Sequence, residues 1–384
     1  MFFDAYLLGR HTTVKQTTKR SSAVAVSLFA GALALSSCSN AANDSALGGS
    51  GENADKLATD ASGELRAEGS SAQQNAMDNV FSPAFSAATG AQLAYNATGS
   101  GAGQTQFISD QVDFAGSDSP LKDDQVEAAA KRCGGNEAWH LPMVIGPVAV
   151  AYKLDGVEET LNLSTMTIAK IFKGEITSWD DPAIQGENPG VNLPAVPISV
   201  VYRADESGTS DNFQKFLRAS TDGYWTDEGK SFPTAVGAGT NKSTGVAHQV
   251  AVTNGAITYV ESGYAKEREG DMNIAKIDFG KGPVELNSTS VNKALDTVVF
   301  SGEGHNLVVD SDALYASKED GAYPLVLTTY EIVCSAGYDE NTAKLVKNFL
   351  YTMLDNQSED LENEGYIPVD GQFKDKLTAA VDAL

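Results

Sequence analysis

From about Glu64 onward the chain alternates short apolar runs with stretches whose apolar positions recur at helical spacing, the pattern of an α/β protein. After Ser70-Ser71, residues Ala76, Met77, Val80 and Phe81 share one helical face, so Ser71 is the expected N-cap of a first helix. Gln92 to Asn96 reads as a strand, Gln104 to Ser109 as helix after the turn TGSGAG, and Val112 to Ala115 as a short buried strand ending at Gly116-Ser117-Asp118. A second block opens near Pro142 with the β-rich run MVIGPVAVAYKL. It continues with a helix over Thr165 to Phe172 and a strand over Ile198 to Tyr202. A helix then starts near Ser207, with Phe213, Phe216 and Leu217 at i, i+3 and i+4. Further on, Thr244 to Val252 reads as helix and Ala256 to Glu261 as strand. The tail offers a β run, LVLTTYEIVC, and a long helix around Thr342 to Leu354.

Upstream of Glu64 the pattern is different. Basic residues Lys15, Lys19 and Arg20 precede an apolar stretch from Ser21 to Leu35 of about fifteen residues, short of the ~20 needed to cross a bilayer. Such a segment reads as a secretory signal peptide. Its end, Leu35-Ser36-Ser37-Cys38, resembles the lipobox of bacterial lipoproteins, which implies cleavage before Cys38 and acylation of that thiol. The alternative is ordinary secretion with Cys38 unmodified. The residues before His11 add nothing to a signal peptide, so translation could begin further in. Residues 39 to about 62 are rich in Gly, Ser, Asn, Ala and Asp without apolar periodicity and read as a flexible tether.

At 384 residues and 42% hydrophobic content the chain exceeds one typical core and suggests two domains. The formal net charge is −24, and it deepens to about −27 once the basic leader is removed. That balance argues against nucleic acid or an anionic membrane surface as a partner. With Cys38 assigned to lipidation, Cys133 and Cys334 form an even pair in an oxidising compartment, and a disulfide between them is expected. Two buried free thiols are the other possibility. A disulfide would tie the tail to the first block, so the chain would cross to a second domain and return through a hinge.

Two segments carry the candidate chemistry, Thr98 to Leu121 (TGSGAGQTQFISDQVDFAGSDSPL) and Tyr202 to Phe213 (YRADESGTSDNF). Each puts glycine and hydroxyl residues where a helix should begin, beside a charged side chain. Free backbone N–H groups and the positive end of the helix dipole make such a place suited to a small oxyanion. The acidic chain would repel that anion, so local hydrogen bonds in a dry pocket must outweigh a field that salt screens beyond about 8 Å.

These two segments, with KIFKGEITSWDDPAI and GAITYVESGYA, together resemble the phosphate-binding lipoproteins of bacterial phosphate ABC transporters, most closely the actinobacterial ones. The resemblance runs from about Leu65 to the C-terminus. It implies an α/β, two-lobed periplasmic substrate-binding-protein fold with two hinge crossovers and ligand in the cleft between the lobes. Expected boundaries are 1–37 for the signal peptide, 38–63 for the lipidated tether, 64–144 and 321–384 for lobe I, and 145–320 for lobe II. The resemblance implies inorganic phosphate as ligand, permease subunits of an ABC importer as partners, no cofactor, and membrane contact only through the lipid.

Position by position, it implies that Ser71 gives a hydroxyl and Ala72 a backbone N–H to phosphate. Ser100 would contribute at a helix start, and Asp118 would accept a hydrogen bond from a protonated phosphate oxygen. Arg203 would donate to the anion with Asp205 orienting the guanidinium, and Ser207, Gly208 and Thr209 would complete the second lobe's site. Two positions depart from the family: Ala72 stands where an aromatic residue is common, and Glu206 where glycine is frequent. Selectivity follows from Asp118, since an ionised carboxylate only accepts. Sulfate would leave it unpaired, a loss of about 1 to 3 kcal/mol or more.

Taken singly, these residues also have plain structural roles. Ser71 could be a cap, Asp118 a turn residue, and Arg203 with Asp205 a surface ion pair. Trp139, Trp179 and Trp225 read as packing residues. A secreted phosphatase is a second functional class, but no G-x-S-x-G elbow is present, and His11, His140, His248 and His305 have no spacing suited to a base or a metal. A phosphate-sensing surface receptor without a transport role is the third class.

Overall fold

The computed structural model describes residues 51–233 and 235–384. The signal peptide, Cys38 and the first part of the tether lie outside the described residues. Among the described residues twelve strands follow in chain order: β1 Glu64–Gly69, β2 Gln92–Ala97, β3 Phe114–Ser117, β4 Ala138–Tyr152, β5 Asn162–Ser164, β6 Ser199–Arg203, β7 Ala238–Thr240, β8 Ala256–Glu261, β9 Asn273–Ile274, β10 Lys276–Asp278, β11 Pro283–Val284 and β12 Val326–Cys334.

Nine of them form one sheet in the order β2-β1-β3-β12-β4-β8-β6-β7, with β9 beside β4, and β11-β10-β5 form a small second sheet. Strands β1, β2 and β3 pair in parallel, as do β6, β7 and β8. Between the two parallel groups run β4 and β12, antiparallel to their neighbours. Strand β4 links two lobes. It pairs with β12 as far as Pro147 and with β8 from Val148 onward. Covered on both faces, it is buried from His140 to Tyr152, which explains a run too continuously apolar to alternate. The return crossing is at Leu325, whose carbonyl accepts from the Val148 N–H at 3.0 Å.

Most elements follow the apolar pattern. The helix Thr165–Phe172 and strand β8 fall where expected, and the expected helices near Ser207, Thr244 and Thr342 are Gly208–Ser220, Lys242–Ala251 and Glu340–Asp355. Strand β3 begins two residues later than predicted, at Phe114.

Ser71 is not a helix cap. The first helix starts at Gln74 after Gln73, with no side-chain cap. It passes through a π-helical turn, Met77–Phe81, before Ser82–Thr89. Pro83, near the start of that last segment, has no N–H to donate, and the wider turn lies directly before it.

The tether is shorter than its composition suggests. Asn53 is buried and donates from Nδ2 to Asp355 at 2.7 Å, and Ala58 exchanges two hydrogen bonds with Asn348, so residues from Asn53 onward pack on the helix Glu340–Asp355. Side-chain amides and carboxylates replace the apolar periodicity that would have signalled this contact.

Cys133 and Cys334 are joined in a disulfide across 201 positions of sequence, between the end of the helix Asp123–Arg132 and the end of β12. Trp179 and Trp225 are fully buried in the core, as their reading as packing residues predicts, while Trp139 is half-buried against His305. Among the described residues no helix is long and apolar enough to cross a membrane.

Candidate functional site

The parallel strands of the two lobes end toward a common place, and the loops after them carry the polar residues singled out in the sequence. Strand β1 leads into Ser70, Ser71 and Ala72, β2 into the helix Ser100–Ile108, and β3 into Asp118. From the other lobe, β6 ends at Arg203, the helix Gly208–Ser220 starts just beyond Asp205, and β7 leads into the helix Lys242–Ala251. Side chains beyond the carboxyl ends of parallel strands can converge because the loops there are not committed to sheet pairing.

Asp118 is the centre of the first cluster. It is 3% exposed. Its Oδ2 accepts from Ser70 Oγ at 2.8 Å and from Ser100 Oγ at 3.0 Å, and its Oδ1 accepts from Thr329 Oγ1 at 2.8 Å. Burial pushes its carboxyl up to about 6, and the nearby Glu261 adds to the shift against the three hydroxyl donors. Ser100 also accepts from the Asp118 N–H at 3.1 Å. It can open its helix because Gly99 before it takes φ 103°, a backbone state open to glycine.

Arg203 is the centre of the second. Its guanidinium lies against Asp205, with Nε donating to Oδ1 at 2.8 Å and a second bond from the terminal nitrogen to Oδ2. Burial opposes the Arg203 charge, but the Asp205 carboxylate holds the guanidinium above its ordinary value. Burial likewise works against Asp205, yet Arg203 and the Lys242 N–H hold it below the usual carboxylate range. The second terminal nitrogen of Arg203 is left to donate to Ser243 Oγ at 3.1 Å and, at 3.5 Å, to Thr209 Oγ1. Ser207 caps its helix by accepting from the Ser210 N–H at 3.2 Å.

The clusters meet. A Cβ on Gly208 would lie 2.6 Å from both the Asp118 Cβ and the Ser100 Oγ, so the two helix starts are in van der Waals contact only because residue 208 is glycine. The Gly101 N–H donates to the Glu206 carbonyl at 3.1 Å, Ser119 Oγ to Asp211 at 2.6 Å, and Asn212 Nδ2 to the Asp118 carbonyl at 2.6 Å. Ser71 Oγ is 3.1 Å from Ser243 Oγ and accepts from the Ser243 N–H at 3.1 Å. The Ala72 N–H donates to Ser70 Oγ at 3.0 Å. In this form the lobes are closed on each other, and the hydroxyls and N–H groups bond among themselves.

Every residue expected from the sequence to contact the anion, and Asp205 with them, therefore lies in or beside one polar cluster. Four further members were missed: Ser70, Ser243, Thr329 and Glu261. Ser70 neighbours Ser71 and was available as a second hydroxyl. Ser243 is the second residue of the helix Lys242–Ala251, a third helix start that its NKSTG sequence could have flagged. Thr329 and Glu261 sit on strands, where nothing local marks them, and Thr329 reaches Asp118 across 211 positions. Of the histidines, His140 is buried away from the cluster, bonded to the Leu121 N–H and to Asn306. No group of three metal-ligating side chains occurs among the described residues.

The chain matches the model of the PBP superfamily domain over residues 54–357. It is 43% identical over 93% of its length to phosphate-binding protein PstS 3 of Mycobacterium tuberculosis, covering 96% of that protein. Against phosphate-binding protein PstS2 of Mycobacterium bovis it is 42% identical, with 95% and 99% covered. Among solved structures, a high affinity periplasmic phosphate-binding protein bound with phosphate superposes with a TM-score of 0.67 at 21% identity, covering 82% of this chain and 93% of that one. A putative phosphate ABC transporter substrate-binding protein from Clostridium perfringens gives 0.57 at 20% identity, with 80% and 100% covered. The two-lobed sheet, the loops gathered at its strand ends and these likenesses lead to one statement of kinship: the chain belongs to the PstS family of phosphate-binding proteins within the PBP superfamily.

Proposed function

We propose that this protein captures inorganic phosphate outside the cytoplasm and delivers it to the permease of an ABC importer. The observation that carries the reading is the meeting of helix starts from two lobes, one bringing a buried carboxylate, Asp118, and the other a buried guanidinium, Arg203. N–H groups, hydroxyls and the guanidinium supply donors to an oxyanion, and Asp118 is the acceptor that a protonated oxyanion can satisfy. Phosphate keeps a proton at neutral pH where sulfate does not.

In this reading lobe I consists of residues 64–144 and 321–384 and lobe II of 145–320, with the hinge where β4 changes partner. Phosphate meets Ser71, Ala72, Ser100 and Asp118 first. Arg203 and the helix start at Ser207, Gly208 and Thr209 then close over it, with Asp205 orienting the guanidinium. Signal-peptide cleavage and acylation of Cys38 would hold the protein on the extracytoplasmic face of the membrane. The protein acts by binding and release, not by turnover.

Isothermal titration calorimetry of the purified chain, freed of ligand by unfolding and refolding, tests this reading. Tight phosphate binding with little or no sulfate heat is expected, and no product from a chromogenic phosphate ester. Equal binding of sulfate would refute the role of Asp118, and silence toward both anions would refute the function.

A further inference from the structure

Glu261 is a buried carboxylate at the site to which the reading above gives no task. It is 1% exposed and ends strand β8, opposite Val148, where β4 changes partner. Its Oε1 accepts from Thr209 Oγ1 at 2.6 Å, and its Oε2 has no hydrogen-bond partner among the described residues. The charged and titratable groups facing it are Asp118 beyond β3, Arg203 at the end of β6, Tyr264 on the helix Ser262–Lys266 and Tyr366 in the tail.

A threonine hydroxyl has one proton. Here that proton points at Glu261 and Arg203 donates to the oxygen at 3.5 Å, so Thr209 has a lone pair and no proton left to face the cleft. Thr209 is then an acceptor toward a bound anion, as Asp118 is. Two acceptors in one closed site are matched by an anion that brings two protons. Charge points the same way, because Asp205 and Glu261 both act on the Arg203 guanidinium and Glu261 also acts on Asp118, so carboxylates outnumber the cation. A dianion adds more repulsion there than a monoanion does.

We propose that Glu261, acting through Thr209, sets which protonation form of phosphate this protein takes, favouring the monobasic ion with its two protons. Glu261 is a positioning residue for specificity and does not itself touch the anion. The inference rests on the phosphate reading, and its test separates the two. Replacing Glu261 by Gln removes one negative charge and offers Thr209 Oγ1 an amide N–H as well as a weaker, neutral acceptor, so the threonine proton is no longer held away from the cleft.

The experiment is calorimetric titration with inorganic phosphate at a series of pH values, kept above the Asp118 value of about 6. It compares the wild-type chain with Glu261→Gln, Thr209→Ser and Thr209→Val, each checked for folding by circular dichroism. Wild-type affinity for total phosphate should fall about tenfold per pH unit above the second ionisation of phosphate, because the monobasic fraction falls by that factor. Glu261→Gln should flatten that slope and raise sulfate affinity by about tenfold, the worth of one regained hydrogen bond. Thr209→Ser, which keeps the hydroxyl, should keep the slope, and Thr209→Val should lose it. A wild-type affinity that is flat or rises with pH overturns the inference, as does an unchanged slope in Glu261→Gln. Should Glu261→Gln fail to fold, an unchanged slope in Thr209→Val has the same force. Wild-type protein that gives no phosphate heat at any pH instead overturns the underlying function.

Discussion

Asp118 has opposing demands placed on it. Three hydroxyls stabilise its charge, yet burial and Glu261 penalise it more, and the carboxyl rises to about 6. Because the folded value lies above the ordinary 3.8, protonation favours the folded form. That contribution, about 3 kcal/mol, is fully present below the unfolded value and is lost as pH rises through about 6. The ligand-free wild type should therefore lose melting temperature between these two values relative to Asp118→Asn, whose neutral amide has no such dependence. Parallel melting curves across that range would contradict the assignment. Asp118→Asn should also bring phosphate and sulfate affinities together, narrowing a preference of about 10- to 1000-fold measured by titration calorimetry. Asp118 was legible in the sequence because it follows a short buried strand and ends a recognisable motif. Glu261 was not, since a strand-terminal glutamate gives no local sign that a threonine of another element will reach it.

At the scale of elements, the site is made by helix starts brought into contact, and the contact depends on glycine. Gly208 leaves no room for a side chain between the helix Gly208–Ser220 and the Ser100–Asp118 pair. Gly208→Ala should leave each lobe folded but hold the lobes apart. Overpacking of about 1 to 3 kcal/mol corresponds to roughly 10- to 100-fold weaker phosphate binding, read by calorimetry. An unchanged affinity would mean that the closed arrangement is not the binding form. The helix Gly208–Ser220 was readable from its cap Ser207 and its apolar face. The first helix was misread at its start, because Ser71 has the right residue type for a cap but its hydroxyl is engaged by Ser243 of another element. Tertiary partners outweigh a local preference worth about 1 kcal/mol.

For the whole molecule, the long strands β4 and β12 and the disulfide hold together parts of the chain that are remote in sequence. The disulfide joins two elements of the same half of the sheet across 201 positions, so it constrains the unfolded chain without bridging the cleft. Replacing Cys133 and Cys334 by Ser should cost about 2 to 5 kcal/mol of stability in denaturant unfolding while leaving phosphate affinity unchanged. A loss of affinity in a folded double variant would show that the bond shapes the site. The amino-acid sequence by itself determined the α/β class, the order of nearly all elements and the two glycine-and-hydroxyl motifs, and made a disulfide between the two remaining cysteines the expected outcome, because each rests on local periodicity, residue type or simple counting. Only the tertiary structure decided that the segment after Gly51 packs on a distant helix, that Ser71 turns to Ser243, and that Thr329 and Glu261 enter the site. Those contacts join residues far apart in the chain through polar side chains, and such pairs leave no period in the sequence from which they could be read.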